Sequence, residues 1–215
     1  MAAPYAGSSL DTVQESSMYR LSDELIRQEA LGVALRLKGA DLSDSYMCQN
    51  YFRDTFEWWV CRAAERAADF GLVTRANLYF RPHDTLTLAE GLGITLNSLA
   101  ISHSSTSTTT IPGTLPTWQK RLILTIQEQQ ISLDVRDSSG RSIAFYDPRL
   151  GSDSSGFDMS HRLTRGEFFQ IVIALLHYSE NQDPLAHCTV FNDGCNDCTS
   201  NMEVTQCTER QCFWK

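Results

Sequence analysis

Apolar positions along this chain fall into five helix-period stretches, two alternating stretches and a tail with almost no aliphatic residues. Ser22 or Asp23 can cap a first helix reaching about Lys38, with Leu25, Leu31, Ala34, Leu35 and Leu37 inward and Gly39 as its stop. A second starts near Phe56 and carries Val60, Ala63, Ala64, Ala67 and Ala68, small residues that permit close helix approach, before Gly71 ends it. Thr85 or Thr87 caps a third, with Leu86, Leu92, Ile94, Leu96 and Leu99 apolar, and Gly91 and Gly93 leaving room for a neighbour. After a Ser/Thr linker ending in Pro112-Gly113, Pro116-Thr117 opens a helix over Trp118–Gln130, and Leu163–Tyr178 forms the last. Between these two, Leu133–Arg136 and Ser142–Tyr146 alternate around Asp137-Ser138-Ser139-Gly140, which predicts an inserted β-hairpin.

The helices recur in a fixed order. An aromatic turn, Tyr51-Phe52-Arg53-Asp54, precedes Trp59, a helix, and the pair Gly71-Leu72. Phe80-Arg81-Pro82 then leads into Thr87-Leu88-Ala89-Glu90 at the start of the next helix. The interval from Trp59 to Leu72 is repeated from Trp118 to Ile131. The Glu-bearing box occurs three times, as Leu25–Glu29, Leu86–Glu90 and Leu163–Glu167, each in the opening turns of a helix. The separation from Ile131 to Glu167 is twice that from Leu72 to Glu90, and the hairpin fills the excess.

A net charge of −8, from 18 basic and 26 acidic residues, argues against a general nucleic-acid binder, which needs a basic field. A hydrophobic content of 42% supports a real core, and no apolar run is long enough for a transmembrane span. Residues 1–18 are polar, without a hydrophobic signal core, and read as an arm docked on the body or on a neighbouring subunit. Seven cysteines, five of them within the last 28 residues, point to an oxidising compartment and so to a mature secreted chain.

These segments resemble S-layer homology (SLH) repeats, bacterial surface modules built of a helix, a loop and a second helix. The resemblance rests on Tyr51–Asp54, Trp59, Gly71-Leu72, Phe80–Pro82 and Thr87–Glu90, then on Trp118, Ile131 and Thr164–Glu167, with Ile26–Glu29 as a box lacking its first half. It implies a mainly α fold: tandem helix-loop-helix repeats packed as a bundle, with the β-hairpin inserted and a Cys-rich tail appended. The divisions expected are an arm (1–20), a half repeat (21–48), a full repeat (49–103), a repeat with the hairpin (104–182) and the tail (183–215). The resemblance further implies acidic, often pyruvate-bearing cell-wall glycan as ligand, bound in grooves between repeats. The box arginines Arg27 and Arg165 would meet its carboxylate, and a guanidinium forks onto a carboxylate well. Leu88 stands where the middle box would carry the third arginine, which makes that groove defective. Trp59 and Trp118 are glycan-stacking candidates, although a Trp opening a helix serves first as a core anchor. Glu90 and Glu167 fall three residues after Thr87 and Thr164 and suit capping boxes, whereas Glu29 has no Thr partner. Two and a half repeats leave a three-repeat bundle open, so the arm, the tail or another molecule is needed to close it.

Other chemistry is sparse. Cys48 and Cys61 flank the turn into the second helix and are expected to form a disulfide. The tail cysteines Cys188, Cys195, Cys198, Cys207 and Cys212 are odd in number and their partners are unassigned. Their spacing, even with His187 nearby, is too irregular for a zinc site, and Asp147, Asp153 and Asp158 lack the interval of a calcium loop. No nucleophile elbow, phosphate loop or zinc-protease helix is present. His161 with Ser160 and Asp158 reads as a surface cluster rather than a triad, and His177 as a core or boundary residue. With this sparse chemistry beside it, the SLH resemblance implies a non-catalytic bacterial cell-surface protein without metal or cofactor, forming a homo-oligomer or polymer. It either attaches to acidic cell-wall polysaccharide or is a self-assembling subunit of a filament or surface layer.

Overall fold

The computed structural model describes residues 20–40, 47–105, 114–151 and 156–182, together with the backbone of three strands in the tail. Helices dominate: α1 (Arg27–Leu37), α2 (Trp58–Asp69), α3 (Leu88–Ser98), α4 (Thr117–Glu128) and α5 (Arg165–Gln182). The two alternating segments pair as β1 (Leu133–Arg136) and β2 (Ser142–Tyr146), antiparallel, and a short β3 (Gly156–Phe157) extends them to a three-stranded sheet. Leu133, Val135, Ile143 and Tyr146 turn their side chains to the core, and β1 lies against α5. A second antiparallel sheet, which the lack of aliphatic residues gave no reason to expect, is formed by β4 (Thr189–Asn192), β5 (Asp197–Ser200) and β6 (Thr205–Cys207).

The three box segments meet in a closed ring. The Leu86 amide donates to the Leu25 carbonyl at 2.9 Å, the Leu163 amide to Leu86 at 2.8 Å, and the Leu25 amide to Leu163 at 2.8 Å. One residue pair further out the pattern repeats: Arg27 donates to the Asp84 carbonyl, Leu88 to His161 and Arg165 to Asp23. Three isolated bridges, Ile26–Thr85, Thr87–Arg162 and Glu24–Thr164, mark the same junctions. Leu25, Leu86 and Leu163 fill the middle of this ring and are buried. The amides of Leu25, Leu86 and Leu163 all find partners within the ring, so the junction satisfies these buried donors itself. The box segments thus close on one another without the missing first half.

This ring changes where α1 begins. Ser22 and Asp23 do not cap it; they lie in a turn, with the Asp23 amide on the Arg20 carbonyl, and the helix starts at Arg27. The extended residues between are held by the other two boxes, and that tertiary demand overrides the local capping preference.

Helix ends follow one rule. Gly39, Gly71, Ala100 and Gln130 sit just past the ends of α1, α2, α3 and α4 with φ of 69°, 71°, 55° and 53°. The next residue in each case (Ala40, Leu72, Ile101, Ile131) donates its amide back to the carbonyl five positions earlier, the hydrogen bond of a Schellman stop. Gly91 serves packing instead: a Cβ there would come within 2.5 Å of Leu163 Cδ1, in the buried contact between α3 and the ring.

Candidate functional site

Each box helix opens with an acid at its third position, and each acid does two things. Glu90 accepts from the Thr87 amide at 3.1 Å and Glu167 from the Thr164 amide at 2.7 Å, while the two threonine hydroxyls accept from the glutamate amides in return. Glu29 likewise takes the Ile26 amide at 3.3 Å, although isoleucine offers nothing back, so this box is half made. The second carboxylate function faces the preceding box. Arg27 Nη2 donates to Glu90 at 2.6 Å, and Arg165 donates to Glu29 through both Nη2 and Nε.

The third junction differs. Leu88 occupies the arginine position and is fully buried, so it cannot reach Glu167. His161 takes that role, with Nε2 3.1 Å from Glu167 Oε2. It stands where the other junctions have Asp23 and Asp84, as the backbone bonds show. His161 is therefore a junction residue, while Ser160 bonds Asp158 separately at 3.0 Å, and no triad forms. His177 is exposed rather than at the core or its boundary, because it lies on the outer side of α5.

Burial acts to raise the Glu90 carboxyl, but the Thr87 amide and hydroxyl and the Arg27 guanidinium outweigh it and hold it below the usual glutamate range. Arg165 is held above its ordinary value by its hydrogen bonds to Glu29.

Arg27 also lines open space. A cavity of about 480 Å³ lies between the loop leading from α2, the helix α3 and the start of α4. Its walls include Arg27, Glu90, Arg81, Asn77 and Asn97 among polar groups, and Phe52, Tyr79, Phe80 and Trp118 among aromatic ones. A neighbouring cleft of about 440 Å³ shares Arg27, Arg81 and Glu90 and adds Asp84, Thr87 and Arg162. Arg27 Nε is buried without a partner among the described residues. The Phe52 and Phe80 rings meet at 5.8 Å with their planes tilted, and the two carboxylate oxygens of Asp54 accept the backbone amides of Phe80 and Arg81, which fixes the aromatic wall.

The structure brings two of the four candidate ligand residues together: Arg27 and Trp118 line the larger cavity. Arg165 and Trp59 line neither this cavity nor the cleft beside it. The core-anchor reading of the tryptophans fails. Trp59 is 41% and Trp118 49% exposed, because both sit in the first turn of their helices on the outward side. Trp59 Nε1 donates to Glu57 at 2.7 Å.

Cys48 and Cys61 lie at disulfide distance, with Cα atoms 6.1 Å apart. Beside them is Glu65, a residue that sequence reasoning missed. It is fully buried on α2 and accepts the amides of Gln49 at 2.7 Å and Tyr51 at 2.9 Å. A glutamate amid the alanines of an otherwise small, apolar helix face was the available signal. Among the described residues Cys48, Cys61 and Glu65 form the one group with metal-ligand types, and the sulfur pairing accounts for it. Asp147 accepts from Arg149, as a surface turn does, and Asp158 from Ser160; Asp153 lies outside the described residues. Of the tail cysteines, Cys198 and Cys207 are backbone partners on β5 and β6, and Cys188, Cys195 and Cys212, with His187, lie outside the described residues. No described helix is long and apolar enough to cross a membrane.

Searches of the chain against protein-family models and against curated proteins find no match.

Proposed function

We propose that this is a non-catalytic bacterial cell-surface protein of SLH type that attaches to the envelope by binding an acidic cell-wall glycan in the cavity beside Arg27. The observation that supports this reading best is the make-up of that cavity. A guanidinium with an unused buried Nε stands at one side, Arg81 faces the same space, and an exposed indole, Trp118, lies at the mouth. A carboxylate-bearing sugar has a charged group for the arginines and an apolar ring face for the indole. Asn77 and Asn97 add donors and acceptors for hydroxyl groups. The Cys48–Cys61 pair suits an oxidising, extracellular setting.

The test is sedimentation with isolated cell-wall polysaccharide, with and without its acidic substituents. Arg27→Gln and Trp118→Ala should each lose binding while retaining the wild-type circular dichroism spectrum. Unaltered binding by both variants, or equal binding to glycan stripped of its acidic groups, would count against the reading.

A second reading, a self-assembling filament or surface-layer subunit, draws on a different surface. Phe56, Trp58 and Met47 are all strongly exposed around the Cys48–Cys61 turn, and clustered apolar exposure of this kind marks interaction sites. Electron microscopy of the purified protein tests it, and dispersed monomers at high concentration would exclude it.

A further inference from the structure

The cleft beside the cavity draws on all three boxes. Arg27 comes from the first, Arg81, Asp84, Thr85 and Glu90 from the second and the turn before it, and Arg162 from the approach to the third. Most of its charge belongs to the repeated scaffold. The Arg27–Glu90 pair recurs at another junction as Arg165–Glu29. The Arg81–Asp84 pair, at 3.5 Å, recurs as Arg20–Asp23. Arg81 and Arg20 both hold left-handed backbone, with φ of 58° and 49°, and each arginine carbonyl accepts the amide of its aspartate. These pairs therefore serve the turn into a ring segment.

Arg162 stands outside this scheme. It directly precedes ring residue Leu163, and the residues that directly precede Leu25 and Leu86 are Glu24 and Thr85. All three take part in the bridges of the ring, Arg162 opposite Thr87. Bridging uses main-chain groups, so an acid, a hydroxyl and a guanidinium serve it equally. Arg162 is exposed, and its guanidinium has no ion pair or hydrogen bond among the described residues. Glu90 is held by Arg27 and Asp84 by Arg81, so Arg162 leaves the cleft one positive charge in excess.

We propose that this cleft is a second anion subsite, and that the ligand is a glycan polymer with acidic groups on successive units. One acid lies in the cavity and the next meets Arg162 and Arg81. This rests on the glycan reading of the cavity and adds the number of acids recognised. The two spaces share Arg27, Arg81 and Glu90, so a chain leaving one meets the other. Guanidiniums offer paired donors to a carboxylate, and Thr85 adds a hydroxyl. A single exposed ion pair is weak, but an acid tethered to a bound neighbour arrives at high effective concentration.

The test is calorimetric titration of the full chain with isolated acidic cell-wall polysaccharide, whole and cut to fragments that carry one acidic group. Counted per acidic group, the parent should bind the polymer about tenfold tighter than the fragment, the size of one charge-assisted contact. Arg162→Gln should bring the two to the same affinity, and Arg162→Lys should restore most of the difference. A polymer advantage that persists in Arg162→Gln would overturn the second subsite and leave the glycan reading intact. So would a parent that binds polymer and fragment alike. Inorganic phosphate provides a further arm: saturable phosphate binding that Arg162→Gln removes, with polymer binding untouched, would assign the cleft to a free anion instead. A parent that binds neither polymer nor fragment sinks the inference together with the reading beneath it.

Discussion

Arg27 and Glu90 are bonded at 2.6 Å across the junction between the first and second boxes, and the same carboxylate closes the amino end of α3. One acid thus ties a helix start to its neighbour. The charged form of Glu90 is the one with partners, so its folded pKa lies below its unfolded value.

The sign of the resulting pH dependence follows. The contribution of Glu90 is fully present above its unfolded pKa, about 4.3, and is lost as pH falls through the folded value. Thermal melts across the acid range should show the parent losing stability more steeply than Arg27→Gln, which has less to lose. At neutral pH the same variant should be less stable by about 1–3 kcal/mol, since a charged acceptor loses its donor. Parallel acid profiles for the two proteins would contradict the assignment.

The third junction makes a separate prediction. Glu167 is buried, and His161 is its partner where the other junctions use arginine. His161→Ala should lower stability in urea by about 1–3 kcal/mol, the cost of a buried acceptor left short of a donor. Ser160→Ala, one residue away and on a surface contact, serves as the control and should leave the midpoint unmoved.

Ala100 and Gln130 hold left-handed backbone at helix stops where Gly39 and Gly71 do so without a side chain. A left-handed non-glycine residue costs roughly 1–2 kcal/mol, and glycine adds roughly 0.5–1 kcal/mol of unfolded-state entropy. Ala100→Gly and Gln130→Gly should therefore each stabilise by about 0.5–1 kcal/mol, visible as a higher melting temperature, whereas Gly71→Ala should lower it.

Linking Cys48 to Cys61 closes a short loop next to the buried Glu65. Reduction, or the Cys48→Ser, Cys61→Ser pair, should lower unfolding free energy by about 3 kcal/mol in the chain-entropy account. Chemical denaturation with and without reductant measures this, and non-reducing peptide mapping should recover the two cysteines in one linked fragment.

The helix faces were legible because their apolar spacing is local: Leu31 and Leu35, or Leu92 and Leu96, mark a buried stripe by themselves. Capping by Glu90 and Glu167 was legible for the same reason, since Thr87 and Thr164 stand three residues ahead. The pairing of Arg27 with Glu90 and of Arg165 with Glu29 was not. Its partners lie 63 and 136 positions apart, and nothing along the chain says which box faces which. The start of α1 was misjudged because Ser22 and Asp23 look like caps until the other two boxes occupy the backbone between them and Arg27. The tryptophans misled for a simpler reason: hydrophobic character alone does not distinguish an indole under the bundle from one standing at a cavity mouth.

The ring of Leu25, Leu86 and Leu163 has an arithmetic consequence for how such a chain can grow. A linear array of modules can gain or drop a unit at either end, because each contacts only its neighbours. Here the last donor returns to the first acceptor, so three is a count written into the main chain itself. An added fourth segment would find no amide to answer, and removal of one would strand two edges at once. Between ring members the chain can lengthen without disturbing that count, and the β1–β2 hairpin sits in such an interval.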